Sequence, residues 1–307
     1  MSNPAEICIL MAVYKGKLHL QEQLDSFATQ THDNWTLTIS LDGPDDGSLD
    51  LLHSHPMADR FAYQTGPAKG ATLNFLSLMR RATPGQIWAF SDQDDVWLPE
   101  KLSRAYQALS QQNPDLPAMY HSRTLITDHR LNNKRLSVAR PRPASFCNAL
   151  VQNIAGGNTI VLNAAATRLI HAAAQEADDG MIAHDWWLYQ MLTGVGGVVI
   201  HDDQPGLLYR QHADNVVGAN DGWRARARRI RMVLDGTYRR WMDANIDTLS
   251  ASNHRFSVQN QQHLAQLAAA RTAWLGKRWR ELKRIGIYRQ TGFANAVMWG
   301  AVVIGRF

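Results

Sequence analysis

Three carboxylates follow one apolar segment of the sequence. Residues 87–90 are largely apolar, and Asp92, Asp94 and Asp95 come directly after them. An apolar run of this length, preceded by Pro84-Gly85 and followed by polar residues, is typical of a buried parallel strand. Ligands of open α/β sheets bind outside the carboxyl ends of the strands, so this strand would carry its carboxylates to the ligand site.

Two interpretations of these carboxylates are open. Close carboxylates repel one another unless a cation lies among them, and oxygen ligands at this density suit Mg²⁺ or Mn²⁺, which also bind phosphate oxygens. Alternatively, Asp94 or Asp95 caps a helix over residues 99–110. One such Asp favours the cap, whereas three after a buried strand favour the metal site.

The elements that would position these residues alternate along the first part of the chain. Strands are predicted at 7–12, 35–41, 61–65 and 87–90, with helices at 18–29, 49–53 and 73–81 between them. This alternation predicts a doubly wound, mostly parallel sheet flanked by helices. Polar residues follow three of the strands, at Tyr14-Lys15, Asp42 and Asp92 to Asp95, so we expect them along one edge of the sheet.

The middle of the chain adds further elements and candidate residues. An antiparallel strand is predicted at 118–127, helices at 145–152, 164–175 and 184–192, and strands at 159–162, 195–200 and 207–210. Gly156 and Gly157 allow either a close approach to a ligand or a tight turn. Asp185 lies in a first helical turn, where acidic residues commonly interact with the helix dipole. His212 follows a strand as a metal ligand or as an ordinary polar residue.

Length and composition bound the class of protein. The 307 residues, 45% of them hydrophobic, fit one large α/β domain with an appendage. Cys8 and Cys147 give no disulfide framework, so a reducing compartment is expected. No secretory signal, spanning helix, G-x-G-x-x-G fingerprint or phosphate loop is found, and no nucleophile-elbow motif indicates covalent catalysis.

The last part of the chain is basic. Residues 221–307 hold 16 of the 32 Lys and Arg and 5 of the 27 Asp and Glu, a net charge of +11, whereas the rest is −6. A predicted helix at 262–285 has Leu275 and Trp279 on one face and basic residues on the other, which suits a membrane interface. The apolar stretch 293–304, interrupted by Asn295, either enters that interface or packs on the protein. A solvated basic face is the alternative, and no nucleic-acid-binding motif accompanies the charge.

Several segments together resemble glycosyltransferase family 2, and most of all its bacterial rhamnosyltransferase-type members. They are M-A-V-Y-K-G from Met11, S-L-D-G from Ser40, G-P-A-K-G from Gly66, S-D-Q-D-D-V-W-L-P from Ser91, H-D-W-W from His184 and Y-R-Q-H from Tyr209. The resemblance covers about residues 5–220. It implies a GT-A type, Rossmann-like domain over 1–220, with a nucleotide-sugar half at about 1–112 and an acceptor half at about 113–220. Residues 221–307 would be a helical basic extension.

The resemblance also implies residue roles on the donor side. Tyr14 and Asp42 would form the base pocket, and Lys69 would contact the base or a phosphate. Asp92 and Asp94 match the outer carboxylates of the D-x-D motif. Asp94 would be the principal metal ligand, and Asp92 would lie near the ribose and metal. Three further assignments complete this side of the site: Asp95 as a sugar or supporting contact, Arg210 near the donor phosphates, and His212 as the last metal ligand.

On the acceptor side the resemblance implies a general base. Asp185 matches the carboxylate of the E-D motif, although His184 stands where the family commonly has Glu. Gly156 and Gly157 match the acceptor-side loop, and Trp186 would contribute to the same side. An acceptor hydroxyl is too weakly acidic to attack unaided, so a carboxylate that takes its proton suits an inverting displacement of a nucleoside diphosphate.

The expected function is therefore a metal-dependent, inverting hexosyltransferase. It would use a dTDP- or UDP-linked sugar, for example dTDP-L-rhamnose, and a saccharide or lipid-linked acceptor in O-antigen- or capsule-type polysaccharide synthesis. We expect it in the cytoplasm, at the inner face of the bacterial plasma membrane. The alternatives are UDP-glucose or UDP-galactose as donor, a non-catalytic scaffold of the same fold, and a nucleotidyltransferase, for which the segment after the first strand is a poor match. Linkage and oligomeric state are not encoded in these motifs.

Overall fold

The computed structural model describes residues 4–211, 227 and 230–307. Its first part alternates strands and helices as predicted, because apolar strand residues are separated by amphipathic helical segments. The elements are β1 (Ile7–Val13), α1 (Leu20–Ala28), β2 (Trp35–Leu41), α2 (Ser48–Ser54), β3 (Phe61–Thr65), α3 (Ala71–Arg81) and β4 (Ile87–Ser91). The predicted bounds of β2 and β3 agree with these residue for residue.

The following elements complete the sheet and its covering helices. They are β5 (Val96–Trp97), α4 (Lys101–Ser110), β6 (Ala118–Thr127), β7 (Arg135–Leu136), α5 (Phe146–Ala149), β8 (Val161–Leu162), α6 (Ala164–Glu176), α7 (His184–Gly194) and β9 (Val198–Arg210). Short 3₁₀ helices lie at Ala58–Arg60 and Gly157–Thr159. Asn163 caps α6, since its Oδ1 accepts a hydrogen bond from Ala166 N at 2.9 Å.

The described residues form one nine-stranded mixed sheet. Its order is β3-β2-β1-β4-β8-β6-β9-β5, and β7 pairs with β6. The strands from β3 to β4 are parallel, and β6 and β9 are parallel to each other, whereas β8 is antiparallel to β4 and β6. The α/β class with a mostly parallel sheet flanked by helices is confirmed. The antiparallel prediction for β6 holds toward β7 and β8 but is wrong toward β9.

The core lies on both faces of the sheet. Most of β1 is buried, and Trp35, Leu37 and Ile39 of β2 alternate inward. Phe27 of α1 contacts Trp35 and Trp97 edge to face, with ring centroids 5.9 and 4.6 Å apart. These aromatic contacts fix α1 against the strands whose ends carry the candidate site.

Two sequence-based expectations are wrong in this part of the chain. The helix-cap alternative fails because Val96–Trp97 pairs with β9 as a strand and α4 begins only at Lys101, after Glu100. The two strands predicted at 195–200 and 207–210 form the single strand β9. Pro205 does not end the strand because the pairing with β6 shifts register around Arg123 at that point.

The chain forms two compact units. The first comprises residues 4–139, 155–175 and 198–211, and contains the sheet. The second comprises residues 140–154, 176–197, 227 and 230–307. It groups α5 and α7 with the C-terminal helices, whereas the predicted boundary between the transferase domain and the basic extension lies near residue 220. That domain assignment stays a prediction.

The C-terminal helices are α8 (Thr237–Ala251), α9 (Val258–Thr272), α10 (Leu275–Ile285) and α11 (Gly292–Val303). The predicted helical extension is confirmed, but the single helix over 262–285 is wrong. Trp274 is extended, with ψ 155°, and Arg278 donates hydrogen bonds to the carbonyls of Ala270 at 3.2 Å and Ala273 at 3.0 Å. This side chain satisfies the end of α9 and makes a corner before α10.

Polar contacts anchor the end of the chain within the second unit. Asn148 Nδ2 donates to Tyr288 O at 2.8 Å, and Gln290 N donates to Gln152 Oε1 at 2.8 Å. None of the helices in the described ranges is long and apolar enough to cross a bilayer. The stretch 223–234 carries five arginines, and four of them, Arg224, Arg226, Arg228 and Arg229, lie outside the described residues.

Candidate functional site

The polar residues that follow β1, β2 and β4 meet at one edge of the sheet. Val13 pairs with Leu41 in the parallel β1–β2 register, and Met11 pairs with Ser91 in the β1–β4 register. Tyr14, Asp42 and Asp92 therefore follow adjacent strand ends, as the sequence predicted. Neighbouring carboxyl ends of parallel strands are where open α/β sheets bind ligands.

The segment after β4 is bound to the segment after β1 by one side chain. Tyr14 N donates to Gln93 Oε1 at 2.7 Å, and Gln93 Nε2 donates back to Tyr14 O at 2.8 Å. A Cβ on Gly16 would lie 2.8 Å from Gln93 Oε1, so a larger residue there would displace the Gln93 amide from its bonds to Tyr14. Gln93 thereby fixes the backbone between Asp92 and Asp94 relative to the Tyr14 loop.

Asp42 organises the loop that carries Lys69. Its buried carboxylate accepts hydrogen bonds from Ala68 N at 2.6 Å and Gly70 N at 2.9 Å. Ala68 has φ 56° and Gly70 has φ 89°, so both residues have a positive φ, which is uncommon for alanine. Their hydrogen bonds to Asp42 stabilise this backbone conformation. The exposed residue Lys69 lies between these two donors, at the mouth of the site.

Tyr14 presents a flat aromatic surface beside Asp42. Its side chain is 54% exposed, and a Cβ on Gly43 would lie 2.9 Å from its ring atom Cε2. Lys15 Nζ lies 5.3 Å from the centroid of the same ring. The exposed ring can stack on a planar group of a ligand, and the carboxylate beside it can accept hydrogen bonds from the edge of that group.

Asp95 is the buried member of the acidic segment. It accepts hydrogen bonds from Arg210 N at 3.2 Å and from Asn158 Nδ2. Burial, followed by the charges of Asp94 and Asp92, raises the pKa of Asp95 well above its usual range. Asp92 and Asp94 are half-buried, so they are the members of the segment that face solvent.

Arg210 joins several parts of the first unit. Its Nε donates to Asp94 O at 2.9 Å, one terminal nitrogen donates to His129 O at 2.7 Å, and the other pairs with Glu22. The guanidinium is thus bound to the protein in this structure, and its predicted contact with donor phosphates stays a prediction. The bond from Nε holds the backbone carbonyl of Asp94, in the same segment that Gln93 joins to Tyr14.

Lys101 places a buried amine behind the acidic segment. Its Nζ lies 3.3 Å from the ring centroid of Trp97 and has no hydrogen-bond partner among the described residues. Burial lowers its pKa well below the usual range, although Asp95 opposes this shift. Because Asp95 opposes this shift, the Lys101 amine and the Asp95 carboxyl interact electrostatically at this end of β4.

The predicted metal ligands are only partly within the described structure. Across residues 4–211, 227 and 230–307, no three His, Cys, Asp or Glu side chains are grouped closely enough to hold a metal ion. His212, predicted as the last ligand, lies outside these residues. Asp92 and Asp94 supply carboxylate oxygens, the ligand type that divalent cations such as Mg²⁺ prefer. Burial first, and then the charges of Asp94 and Asp92, raise the pKa of Asp95, and a cation would relieve the repulsion among these groups. Their role as metal ligands stays a prediction.

Gly156 and Gly157 lead into the 3₁₀ turn that carries Asn158. Gly156 O accepts hydrogen bonds from Thr159 N at 2.9 Å and from Thr159 Oγ1 at 2.7 Å, which closes the turn. Asn158 is thereby directed at Asp95. Their predicted contact with the acceptor stays a prediction.

Asp185 and Trp186 belong to the second unit. Asp185 lies half-buried in the first turn of α7, and its Oδ1 accepts a hydrogen bond from Trp186 N at 2.7 Å. Trp186 is buried, with its Nε1 donating to Ala149 O at 2.7 Å. Burial lowers the pKa of the preceding His184 to about 3, so this histidine is neutral at physiological pH. The base role of Asp185 and the acceptor role of Trp186 stay predictions.

Sequence reasoning missed four residues that hold the site together: Gln93, Asn158, Glu22 and Lys101. Gln93 lies inside the acidic motif and Asn158 follows the two glycines, so their positions offered a weak signal. Glu22 offered none, because it meets Arg210 only through the tertiary fold, and no local pattern marked the burial of Lys101.

The comparison with protein families decides the family. A model described as Glycosyl transferase family 2 matches residues 8–166, just over half of the 307 residues. The chain belongs to glycosyl transferase family 2. This confirms the resemblance stated from the sequence, and this family 2 chain is a nucleotide-sugar glycosyltransferase.

Individual relatives support the family and the fold. The dTDP-rhamnosyl transferase RfbG of Shigella flexneri is 26% identical over 274 residues, which cover 86% of this chain and 93% of that protein. S. aureus TarS 1–349 in complex with UDP-GlcNAc has a TM-score of 0.55 at 10% identity, covering 92% of this chain and 93% of that chain. The same protein in complex with UDP has a TM-score of 0.55 at 12% identity, covering 89% of this chain and 77% of that chain. These structural matches confirm a GT-A-like fold.

Proposed function

We propose that this family 2 enzyme transfers L-rhamnose from dTDP-L-rhamnose, with inversion, to a saccharide or lipid-linked acceptor in bacterial surface polysaccharide synthesis. The observation that carries the proposed transfer is the meeting of Tyr14, Asp42 and the acidic segment at adjacent strand ends. The choice of sugar is supported by the dTDP-rhamnosyl transferase that shares 26% identity and 93% of its length with this chain.

Tyr14, Asp42 and Lys69 would bind the nucleotide. The exposed Tyr14 ring suits stacking on the base, and the carboxylate of Asp42 retains lone pairs for an N–H of the base beyond its two backbone bonds. Lys69, on the loop that Asp42 holds, would place a positive charge at the phosphates. Arg210 would reach the phosphates by exchanging its ion pair with Glu22 for one with the donor.

Asp92 and Asp94 would hold Mg²⁺ or Mn²⁺, with His212 as a further ligand. When bound, the ion would neutralise the charge that develops on the leaving nucleoside diphosphate. Asp95 would keep the segment in place through Asn158 and Arg210, and would contact the sugar side of the donor. Gln93 would hold the same segment against the Tyr14 loop.

Asp185 would act as the general base. Its carboxylate would take the proton of the acceptor hydroxyl while that oxygen bonds to the anomeric carbon and the bond to the donor phosphate breaks. A single in-line displacement inverts the anomeric carbon and needs no covalent intermediate. Gly156, Gly157 and Trp186 would line the acceptor side.

We place the reaction at the inner face of the bacterial plasma membrane. A lipid-linked acceptor would lie there, and residues 221–307 would hold the enzyme at anionic lipid. Residues 1–220 would carry the transferase domain. The net charge of +11 on residues 221–307 supports this assignment.

A donor panel tests the proposal. The full chain is incubated with dTDP-L-rhamnose, UDP-glucose, UDP-galactose or UDP-GlcNAc, with Mn²⁺, Mg²⁺ or EDTA, and its thermal stability and donor hydrolysis are measured. We expect dTDP-L-rhamnose with metal to give the largest response, about 2.7 kcal/mol at a concentration 100 times Kd. A larger response to a UDP-sugar would reassign the donor. Binding without hydrolysis or transfer would favour the non-catalytic scaffold, and no response at all would overturn the proposed donor site.

The same donor panel, applied to a variant of Asp94, tests the proposed metal site. Asp94→Asn is expected to abolish the metal-dependent part of donor stabilisation, because it removes the principal ligand charge. Asp115→Asn, at an exposed aspartate of the same unit, is the matched control and should respond as the unmodified chain does. A metal-dependent response that survived Asp94→Asn would exclude this residue as a ligand.

A further inference from the structure

Helix α11 exposes an apolar face. Its twelve residues include no charged side chain. The buried side carries Ala294, Met298, Ala301 and Val302, yet the exposed residues are Phe293, Ala296, Gly300 and Val303, followed by Ile304. A surface helix normally turns charged or polar residues to solvent, so an apolar exposed face marks an interaction surface.

The polar residue within this stretch does not interrupt the exposed face. Asn295 Oδ1 accepts a hydrogen bond from Arg289 N at 2.9 Å, and its Nδ2 donates to Arg289 O at 2.9 Å. Both ends of the amide are therefore used within the protein, at the start of α11. The exposed face beside it contains only apolar residues.

Helix α10 extends this surface with aromatic rings and a lysine. The ring centroids of Trp279 and Trp299 lie 4.7 Å apart, and Lys283 Nζ lies 5.5 Å from the first centroid and 5.6 Å from the second. Trp274 and Leu275 are exposed at the start of α10. We call the α10–α11 surface the set Trp274, Leu275, Trp279, Phe293, Trp299, Val303 and Ile304. Tryptophan and lysine of this kind are side chains that bridge apolar and aqueous layers.

Exposed cations of α10 flank this surface. The exposed basic residues of α10 are Lys277, Arg280, Lys283 and Arg284. Glu281 is the only acidic residue of this helix, and its carboxylate oxygens lie 3.7 Å from Arg280 Nε and 3.6 Å from Arg284 Nη1. Two arginines at one carboxylate leave a net positive charge. The charge around the apolar surface is therefore complementary to an anion-rich surface.

An open cavity of about 370 Å³ lies between the two helices. Its lining includes Arg142, Lys283, Tyr288, Asn295 and Trp299. The guanidinium carbon of Arg142 lies 5.6 Å from the Tyr288 ring centroid. The volume is within the range of small-ligand sites, and its two cations would pair with a phosphate.

We infer that the α10–α11 surface docks on an anionic membrane, with the apolar face of α11 among the acyl chains and a phospholipid headgroup phosphate in the cavity between Arg142 and Lys283. This inference rests on the proposed membrane location and gives it a surface and a ligand. The surface combines exposed apolar, aromatic and basic side chains, the three kinds that bind at an anionic bilayer interface. A second copy of the chain would instead bring cations against cations.

Vesicle flotation tests the inference on the full-length protein. We expect binding to phosphatidylcholine vesicles that contain phosphatidylglycerol, little binding to phosphatidylcholine alone, and weakening at high salt. Val303→Ser combined with Ile304→Ser should reduce binding about tenfold or more, because these side chains are 53% and 54% exposed and would enter the acyl layer. Lys283→Gln should reduce it about fivefold.

Matched controls separate the surface from general effects. Val258→Ser changes a valine that is 71% exposed on α9, and Lys134→Gln removes an exposed lysine of the first unit, so both should bind as the unmodified chain does. All variants should hydrolyse donor normally without vesicles, which distinguishes failure of docking from failure of the proposed transfer. Equal flotation of surface and control variants, or no preference for anionic vesicles, would overturn the inference. A dimer in light scattering that Val303→Ser with Ile304→Ser converts to monomer would assign the surface to a second copy.

Discussion

The side-chain amide of Gln93 forms two hydrogen bonds with the backbone of Tyr14, at 2.7 and 2.8 Å. One residue of the acidic motif therefore binds the loop after β1, while its neighbours Asp92 and Asp94 face solvent. The geometry of the carboxylates and the position of the Tyr14 ring are set together.

Gln93→Ala should weaken donor binding more than it slows turnover. Loss of both bonds frees the Tyr14 loop from the acidic segment, so we expect KM for the donor to rise about tenfold, which corresponds to about 1.4 kcal/mol. Steady-state kinetics measures this split. Gln21→Ala, at an exposed glutamine of α1 whose side chain bonds only to Asp25 among the described residues, is the control. An unchanged KM would exclude a positioning role for Gln93.

Asp185→Asn should abolish transfer without affecting the donor site. An amide cannot accept the proton of the acceptor hydroxyl, so we expect a loss of about 10²–10⁴-fold in transfer rate. Donor-induced thermal stabilisation should be unchanged. Asp178→Asn, at an exposed aspartate of the same unit, should retain full activity. Transfer by Asp185→Asn within a few-fold of the unmodified chain would contradict the proposed base.

Asn158→Ala should destabilise the fold. It removes a donor from the buried carboxylate of Asp95 and leaves only Arg210 N among the hydrogen bonds described for it. We expect the free energy of unfolding to fall by about 2 kcal/mol in urea titration. Asn132→Ala, at an exposed position, should change it by less than about 0.5 kcal/mol. Equal effects of the two substitutions would show that Asn158 does not support Asp95.

His184 should make the fold sensitive to mild acid. Its pKa is lowered to about 3 by burial, so below its ordinary value of 6.5 the unfolded chain binds a proton that the folded chain excludes. Stability from this residue is complete above pH 6.5 and falls as pH decreases toward about 3. Between about pH 7.5 and about pH 5.5 the loss should be about 1.4 kcal/mol.

His184→Gln isolates this contribution. Urea unfolding of both proteins at the two pH values should show a shallower pH dependence for the variant, because glutamine does not titrate. Other histidines contribute equally to both proteins and cancel in the comparison. Identical slopes would mean that His184 is accessible to protons in the folded state.

Local patterns predicted β2 and β3 to the residue, because each is a short apolar or alternating run bounded by turn residues. The adjacency of Tyr14, Asp42 and Asp92 was predictable as well, since parallel strands place their carboxyl ends together. Helix α8 was missed and the corner at Trp274 was not predicted. That corner depends on Arg278 reaching the carbonyls of another helix, which sequence periodicity does not report.

The supports of the site were not predictable for the same reason. Asp95 bonds to Asn158 and to Arg210 N, which lie 63 and 115 residues further along the chain. Such contacts exist only after the strands are ordered. The motif thus indicates the chemistry, whereas the residues that hold it in place follow from topology.

The two backbone donors on Asp42 have a consequence for attempts to redesign donor choice. The same carboxylate that would select the base already closes the loop that carries Lys69. A substitution intended to admit another base would also release that loop and misplace its cation. Re-engineering base preference in this scaffold therefore requires the loop at residues 66–70 to be rebuilt together with Asp42, as one module.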